Sequence, residues 1–187
     1  MIHIIGKKVF KILFGIPYRL QVNGAELLPR VGGGIIASNH LSVFDPPLHG
    51  SIINRELYFM AKKELFNIPI LGCLITKLNA FPVERTHIVN IEAIKKAISI
   101  LKNGDLLLIF PEGKRTKKLT TIKYGIGFLS CITQVPLIPA KIINTDQMIK
   151  FKKIKVIYGK PIIPPKKFTK KDYILLSQKV YNVIKHI

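Results

Sequence analysis

Residues 106–110 read Leu-Leu-Leu-Ile-Phe, and Pro111 stops the run. A short segment that is apolar at every position has no face to give to water. Such segments belong to strands buried on both sides, the mark of a mostly parallel sheet covered by helices. The neighbouring sequence fits that architecture. Gly34–Ser38, Leu57–Met60, Val135–Ile143 and Ile154–Tyr158 read as further strands, and Ala61–Phe66 as a helical segment. Ile88, Ile91, Ile94, Ile98 and Leu101 recur at helical spacing, predicting a helix over 88–102 that Asn103-Gly104 closes. Tyr124–Ala140 reads as a helix followed by a buried strand. Tyr173, Leu176, Val180 and Ile184 place a last helix over 171–186. The expected fold class is α/β, a mostly parallel central sheet flanked by helices, with an N-terminal amphipathic helix.

The 187 residues suit one domain, and 48% apolar residues supply a sizeable core. Thirty Lys+Arg against ten Asp+Glu give a net charge of +20, half of it carried by residues 150–187. This favours a partner bearing phosphate, nucleic acid or anionic lipid. Codon bias toward Lys and Ile explains the same excess, since there are 25 Lys to 5 Arg and 32 Ile. Lysine in place of arginine forks argues for a diffuse field and against base-specific reading. Cys73 and Cys131 match no metal or redox spacing.

No stretch reaches the roughly 18–20 apolar residues that cross a bilayer, and the N-terminus lacks a secretory cleavage pattern. Ile2, Ile5, Val9, Ile12, Leu13 and Ile16 nevertheless fall on one side of a helical wheel, with Lys7, Lys8 and Lys11 on the other. Residues 1–20 are therefore expected to form an amphipathic helix in contact with a membrane, with 21–187 as the main domain. An ordinary surface helix gives the same wheel.

In α/β sheets, function gathers beyond the carboxyl ends of the strands. Three such ends carry polar clusters. At the first, His40 leaves a buried strand and Asp45 follows five residues later. That spacing lets the carboxylate hold one imidazole nitrogen while the other faces the cleft as a base. Asp45 is equally placed to be a helix N-cap and His40 a loop histidine. At the second, Phe81-Pro82-Val83-Glu84-Arg85 offers an arginine suited to a phosphate, or to a local ion pair with Glu84. At the third, Pro111 precedes Glu112, Gly113, Lys114, Arg115 and Thr116: a tight turn, two cations and a hydroxyl, without a Walker pattern. A solvated charged turn is the plainer account of that segment.

Taken in order, these blocks resemble the motifs of the glycerolipid acyltransferases. Asn-His-Leu-Ser-Val-Phe-Asp at 39–45 is similar to their His-X4-Asp motif. Phe-Pro-Val-Glu-Arg at 81–85 and Phe-Pro-Glu-Gly-Lys-Arg-Thr at 110–116 are similar to their second and third blocks, and Val-Pro-Leu-Ile-Pro-Ala at 135–140 to the fourth. The likeness covers roughly residues 20–165 and departs at Lys114, where threonine is usual, and at Thr116, where serine is usual.

The resemblance implies transfer of a fatty acyl group from a thioester, acyl-CoA or acyl-ACP, to the free hydroxyl of lysophosphatidate, giving phosphatidic acid for phospholipid biosynthesis. It implies His40 as base and Asp45 as its orienting partner. Arg85, Lys114 and Arg115 would hold the acceptor phosphate, with Glu112, Gly113 and Thr116 shaping that pocket. It implies no metal and no cofactor beyond the thioester co-substrate. The expected partners are anionic membrane lipids and acyl carrier protein or coenzyme A thioester, with no specific nucleic acid. The expected location is the cytoplasmic face of the membrane, peripheral or monotopic. Glycerol 3-phosphate or another lysophospholipid remains open as acceptor. A basic nucleic-acid-binding protein would leave the ordered blocks unexplained, and the presence of both His40 and Asp45 argues against an inactive membrane scaffold that retains the fold.

Overall fold

The computed structural model describes residues 15–84, 90–116 and 123–187. The expected N-terminal helix therefore lies outside the described residues for most of its length. Among the described residues seven strands form one sheet: β1 (Gln21–Asn23), β2 (Gly34–Ser38), β3 (Leu57–Lys62), β4 (Ala80–Val83), β5 (Leu106–Ile109), β6 (Leu137–Ile143) and β7 (Lys155–Tyr158). Their spatial order is β1-β7-β6-β2-β5-β3-β4. All pairs are parallel except β6 with β7, where Ala140 faces Tyr158. Among the described residues five α-helices flank the sheet: α1 (Asp45–Ile52), α2 (Pro69–Lys77), α3 (Ile91–Lys102), α4 (Gly125–Thr133) and α5 (Lys170–His186).

The fully apolar strands are central, as their composition requires. β2 and β5 lie side by side with Ile36 opposite Leu108. Successive residues feed opposite cores. Ile35, Leu107 and Leu137 join α3, α4 and α5 through Ala97, Leu101, Ile126, Leu129, Leu176 and Val180. Ile36, Leu106, Leu108 and Ile138 join Leu48 of α1 and Ile53 on the other face. Each core draws its stability from apolar area removed from water, about 25 cal/mol per Å². On the first face α4 and α5 meet at Gly127, where a Cβ would fall 2.0 Å from the Tyr173 carbonyl oxygen. Only glycine permits that approach.

Two element boundaries differ from the sequence expectation. Ala61 and Lys62 continue β3, paired with Pro82 and Val83 of β4, and a short 3-10 helix (Lys63–Asn67) follows. The ladder to β4 holds these two residues extended against the local helical preference of the Ala-Lys-Lys-Glu-Leu stretch. The helix predicted from residue 88 begins at Ile91. Asn90 caps it, its side-chain oxygen accepting from the Ala93 amide at 3.0 Å. Residues 88 and 89 lie outside the described residues.

Candidate active site

Because β2 and β5 are adjacent and parallel, the segments leaving their carboxyl ends emerge together. His40 follows β2, and Phe110–Thr116 follows β5. Asn39 pins the first segment: its side-chain amide donates to the Ile142 carbonyl at 2.9 Å and its oxygen accepts from the Ile142 amide at 2.7 Å. This extends the β2–β6 ladder by one residue in side-chain form and fixes the backbone from which His40 departs.

Asp45 opens α1 and is fully buried. Its Oδ2 accepts from the Leu41 amide at 2.7 Å and the Ser42 amide at 2.8 Å, and lies 2.8 Å from His40 Nδ1. The carboxylate thus fastens the turn before α1 and holds the imidazole at once; it is not the helix N-cap, since Phe44 occupies that position and Asp45 is the first helical residue. Its second oxygen, Oδ1, accepts from Thr145 Oγ1 at 2.6 Å. Four bonds over two oxygens supply what a buried carboxylate needs in place of water. With Nδ1 donating to Asp45, His40 keeps Nε2 for other work. The ring lies flat against Phe110, centroids 4.0 Å apart and planes 17° from parallel, which fixes its tilt. His40 is 8% exposed, sheltered but reachable.

The turn after β5 is tied to the first segment by the Thr116 amide, which donates to the His40 carbonyl at 2.9 Å. Gly113 makes the turn in the left-handed region at φ +69, and its amide donates to the Phe110 carbonyl at 3.0 Å. Glu112 is buried beside His40, and among the described residues neither carboxyl oxygen has a hydrogen-bond partner. Burial raises its pKa to about 7, against the His40 backbone amide and the Lys114 charge, which both favour the ionised form. The amide is near enough to oppose the shift without meeting hydrogen-bond geometry. Lys114 and Arg115 are exposed at the mouth of the site.

A cavity of about 420 Å³ opens beside this turn. Its walls include Phe110, Pro111 and Gly113 from the β5 end, Met60 of β3, Val83 of β4 and Ile126 and Leu129 of α4. It therefore joins the second and third sequence blocks, although β3 separates their strands. Arg85 lies outside the described residues. Its neighbour Glu84 lines the cavity and accepts from Lys63 Nζ.

Two groups at the site were not singled out in the sequence. Thr145 lies 100 residues from Asp45, and no local pattern marks it. Behind the dyad, His49 is fully buried one turn along α1 from Asp45. Its Nδ1 is 2.8 Å from the Tyr158 hydroxyl and its Nε2 3.1 Å from Ser38 Oγ. Burial lowers its pKa to about 4, so it sits neutral, with Asp45 pulling the other way. The signal for it was present as a histidine four residues after the aspartate, but nothing distinguished it from a surface residue.

The family model described as Acyltransferase matches residues 19–143. The chain is 32% identical to the 1-acyl-sn-glycerol-3-phosphate acyltransferase of Bacillus subtilis, over 81% of this chain and 78% of that protein. It is 27% identical to a chloroplastic enzyme of the same name from Arabidopsis thaliana, over 78% of this chain but 44% of that one. Among solved structures it resembles the 1-acyl-sn-glycerophosphate acyltransferase PlsC from Thermotoga maritima. There the TM-score is 0.77 at 28% identity, covering 98% of this chain and 75% of that one. The fold, the ordered blocks and these similarities lead to one conclusion: the chain belongs to the acyltransferase family.

Proposed function

We propose that the protein transfers a fatty acyl group from a thioester to the free hydroxyl of 1-acyl-glycerol 3-phosphate, giving phosphatidic acid. The observation that carries this is the His40–Asp45 pair at 2.8 Å, set beside an apolar cavity and a cationic turn. Proteins bearing that activity in their names resemble the chain over 81% of its length in sequence and 98% in structure.

The chemistry needs no enzyme nucleophile. His40 Nε2 takes the proton of the acceptor hydroxyl as its oxygen bonds to the thioester carbonyl carbon. Asp45, held by Thr145 and two backbone amides, stabilises the imidazolium so formed. The tetrahedral intermediate then expels the thiolate, which takes the proton back from His40. Lys114 and Arg115, with Arg85, hold the acceptor phosphate and so position the hydroxyl. Glu112 and Gly113 shape that pocket, and Thr116 fastens it to His40. The cavity accepts the acyl chain. Either acyl-ACP or acyl-CoA serves as donor.

Both acceptor and product are anionic lipids, so placement at the cytoplasmic face of the membrane, peripheral or monotopic, is part of the same proposal. Among the described residues no helix is long and apolar enough to cross a membrane. The +20 charge favours an anionic leaflet. The test is acyl transfer from labelled acyl-CoA or acyl-ACP to lysophosphatidate in vesicles. Label in phosphatidate supports the proposal, and transfer only to glycerol 3-phosphate contradicts the acceptor.

A further inference from the structure

β6 runs parallel to β2, so the chain leaving β6 emerges on the same edge of the sheet as His40. It forms a short 3-10 helix, Thr145–Lys150, flanked by Asn144 and Phe151, both in the left-handed region at φ 70 and φ 48. Asn144 Nδ2 donates to the Lys153 carbonyl at 2.8 Å, closing the base of the excursion. Its first residue is Thr145, bonded to Asp45. The segment is therefore a fixed projection clasped to the catalytic dyad. At its tip Ile149 is 95% exposed and Phe151 60% exposed, interleaved with exposed Lys150, Lys152 and Lys153.

Across the cleft, the end of β3 leads to the start of α2, where Ile70 is 86% exposed. The lysines there are neutralised, Lys62 by Glu64 and Lys63 by Glu84. Apolar groups thus stand on both sides of the His40 edge, with Lys150, Lys152 and Lys153 exposed on the β6 side. An aromatic residue in the left-handed region is disfavoured; one face of Phe151 stacks on Tyr18, centroids 5.6 Å apart, and the rest of the ring is left to water, while Ile149 stands almost wholly in water.

We propose that the 145–153 segment docks on an anionic lipid leaflet. Ile149 and Phe151 enter the boundary between headgroups and acyl chains, the three lysines bind lipid phosphates, and Ile70 makes a second contact across the cleft. This rests on the reading of the acceptor as a lipid in that leaflet. Through Thr145 the docked segment holds the His40–Asp45 pair at a fixed height above the acceptor. An acidic carrier protein would satisfy the lysines but has no use for two projecting apolar side chains.

The test is sedimentation with vesicles of equal parts phosphatidylglycerol and phosphatidylcholine, beside vesicles of phosphatidylcholine alone. Binding to the anionic vesicles is expected to weaken about tenfold for each apolar side chain lost in Ile149→Ser and Ile149→Ser/Phe151→Ser. The single variant changes a side chain almost wholly in water and leaves the fold intact. Lys150→Gln/Lys152→Gln/Lys153→Gln should weaken binding by about fivefold per lysine and flatten its salt dependence. Transfer to a short-chain lysophosphatidate dissolved as monomer should stay at the wild-type rate in all of them, while transfer to vesicle-bound acceptor falls with binding. Unchanged vesicle binding in the Ile149/Phe151 double variant overturns the proposal. So does intact vesicle binding with a selective loss of transfer from acyl carrier protein, which would give the surface to the donor. If wild type acylates not even the monomeric acceptor, the acceptor assignment fails, and vesicle binding still decides the docking surface on its own.

Discussion

Thr145 donates to Asp45 Oδ1 at 2.6 Å across 100 residues of chain, so the segment after β6 reaches the His40 edge of the sheet and completes the carboxylate's hydrogen bonds. The other oxygen is already committed to His40 and two backbone amides. Asp45 therefore has no freedom to rotate while Thr145 is present.

Thr145→Val keeps the shape and removes the donor, leaving Oδ1 buried and short of a partner. The expected cost is about 1–3 kcal/mol in stability. kcat should fall about tenfold with little change in KM, because the residue acts through Asp45 and not on substrate. Thr145→Ser should restore most of both. Chemical denaturation and steady-state kinetics on the three proteins check this, and a Ser variant no better than Val would contradict it.

Glu112 has its pKa raised from 4.5 to about 7 by burial. The folded state thus holds a proton that the unfolded chain gives up above about 4.5. Stability contributed by the neutral carboxyl is complete below that value and is lost as pH rises through about 7. Glu112→Gln, which stays neutral, should gain on wild type across that window, by on the order of 1–3 kcal/mol at its upper end. The difference in unfolding free energy at the two ends of the window measures it.

His49 shows the opposite sign. Its pKa falls from 6.5 to about 4 through burial, so the unfolded chain binds a proton that the native state refuses. Stability is present above 6.5 and is lost as pH falls toward about 4, on the order of 3 kcal/mol over the range. His49→Gln should be less stable than wild type at neutral pH, where the Ser38 and Tyr158 hydroxyls lose fitted partners. It should also show a shallower acid limb. Parallel limbs in the two proteins would mean that His49 already titrates in the native state as it does in the unfolded chain.

The central strands and the site's two principal segments were legible because each is a local pattern. An all-apolar run such as 106–109 admits few environments, and a polar cluster at its end marks the functional edge. β1, of three residues, is too short to show periodicity, and β4, of four, shows in the sequence only through the polar cluster at its end. α2 reads Pro-Ile-Leu-Gly-Cys-Leu-Ile-Thr-Lys, apolar on most sides, so it has no amphipathic signature. Thr145 and Tyr158 reach the site through strand order alone, which no local pattern encodes. Arg85 and the residues of the proposed N-terminal helix up to 14 lie outside the described residues, so their parts rest on sequence.

On the proposed function the cavity takes the acyl chain, so its walls should set the length accepted. Ile126 is 2% exposed at the start of α4 and lines the cavity. Ile126→Trp should fill part of the roughly 420 Å³ and shift preference toward shorter donors, by about tenfold in the ratio of kcat/KM for short over long chains. Competition between labelled thioesters of two lengths reads this directly. An unchanged ratio would place the acyl chain elsewhere.

The most direct measurement is acyl transfer to vesicle-bound lysophosphatidate by wild type and His40→Ala side by side, with unfolding curves to establish that both are folded. The account predicts labelled phosphatidate from wild type and a rate lower by about 10²–10⁴-fold from the variant. Equal rates from two folded proteins would contradict His40 as the base.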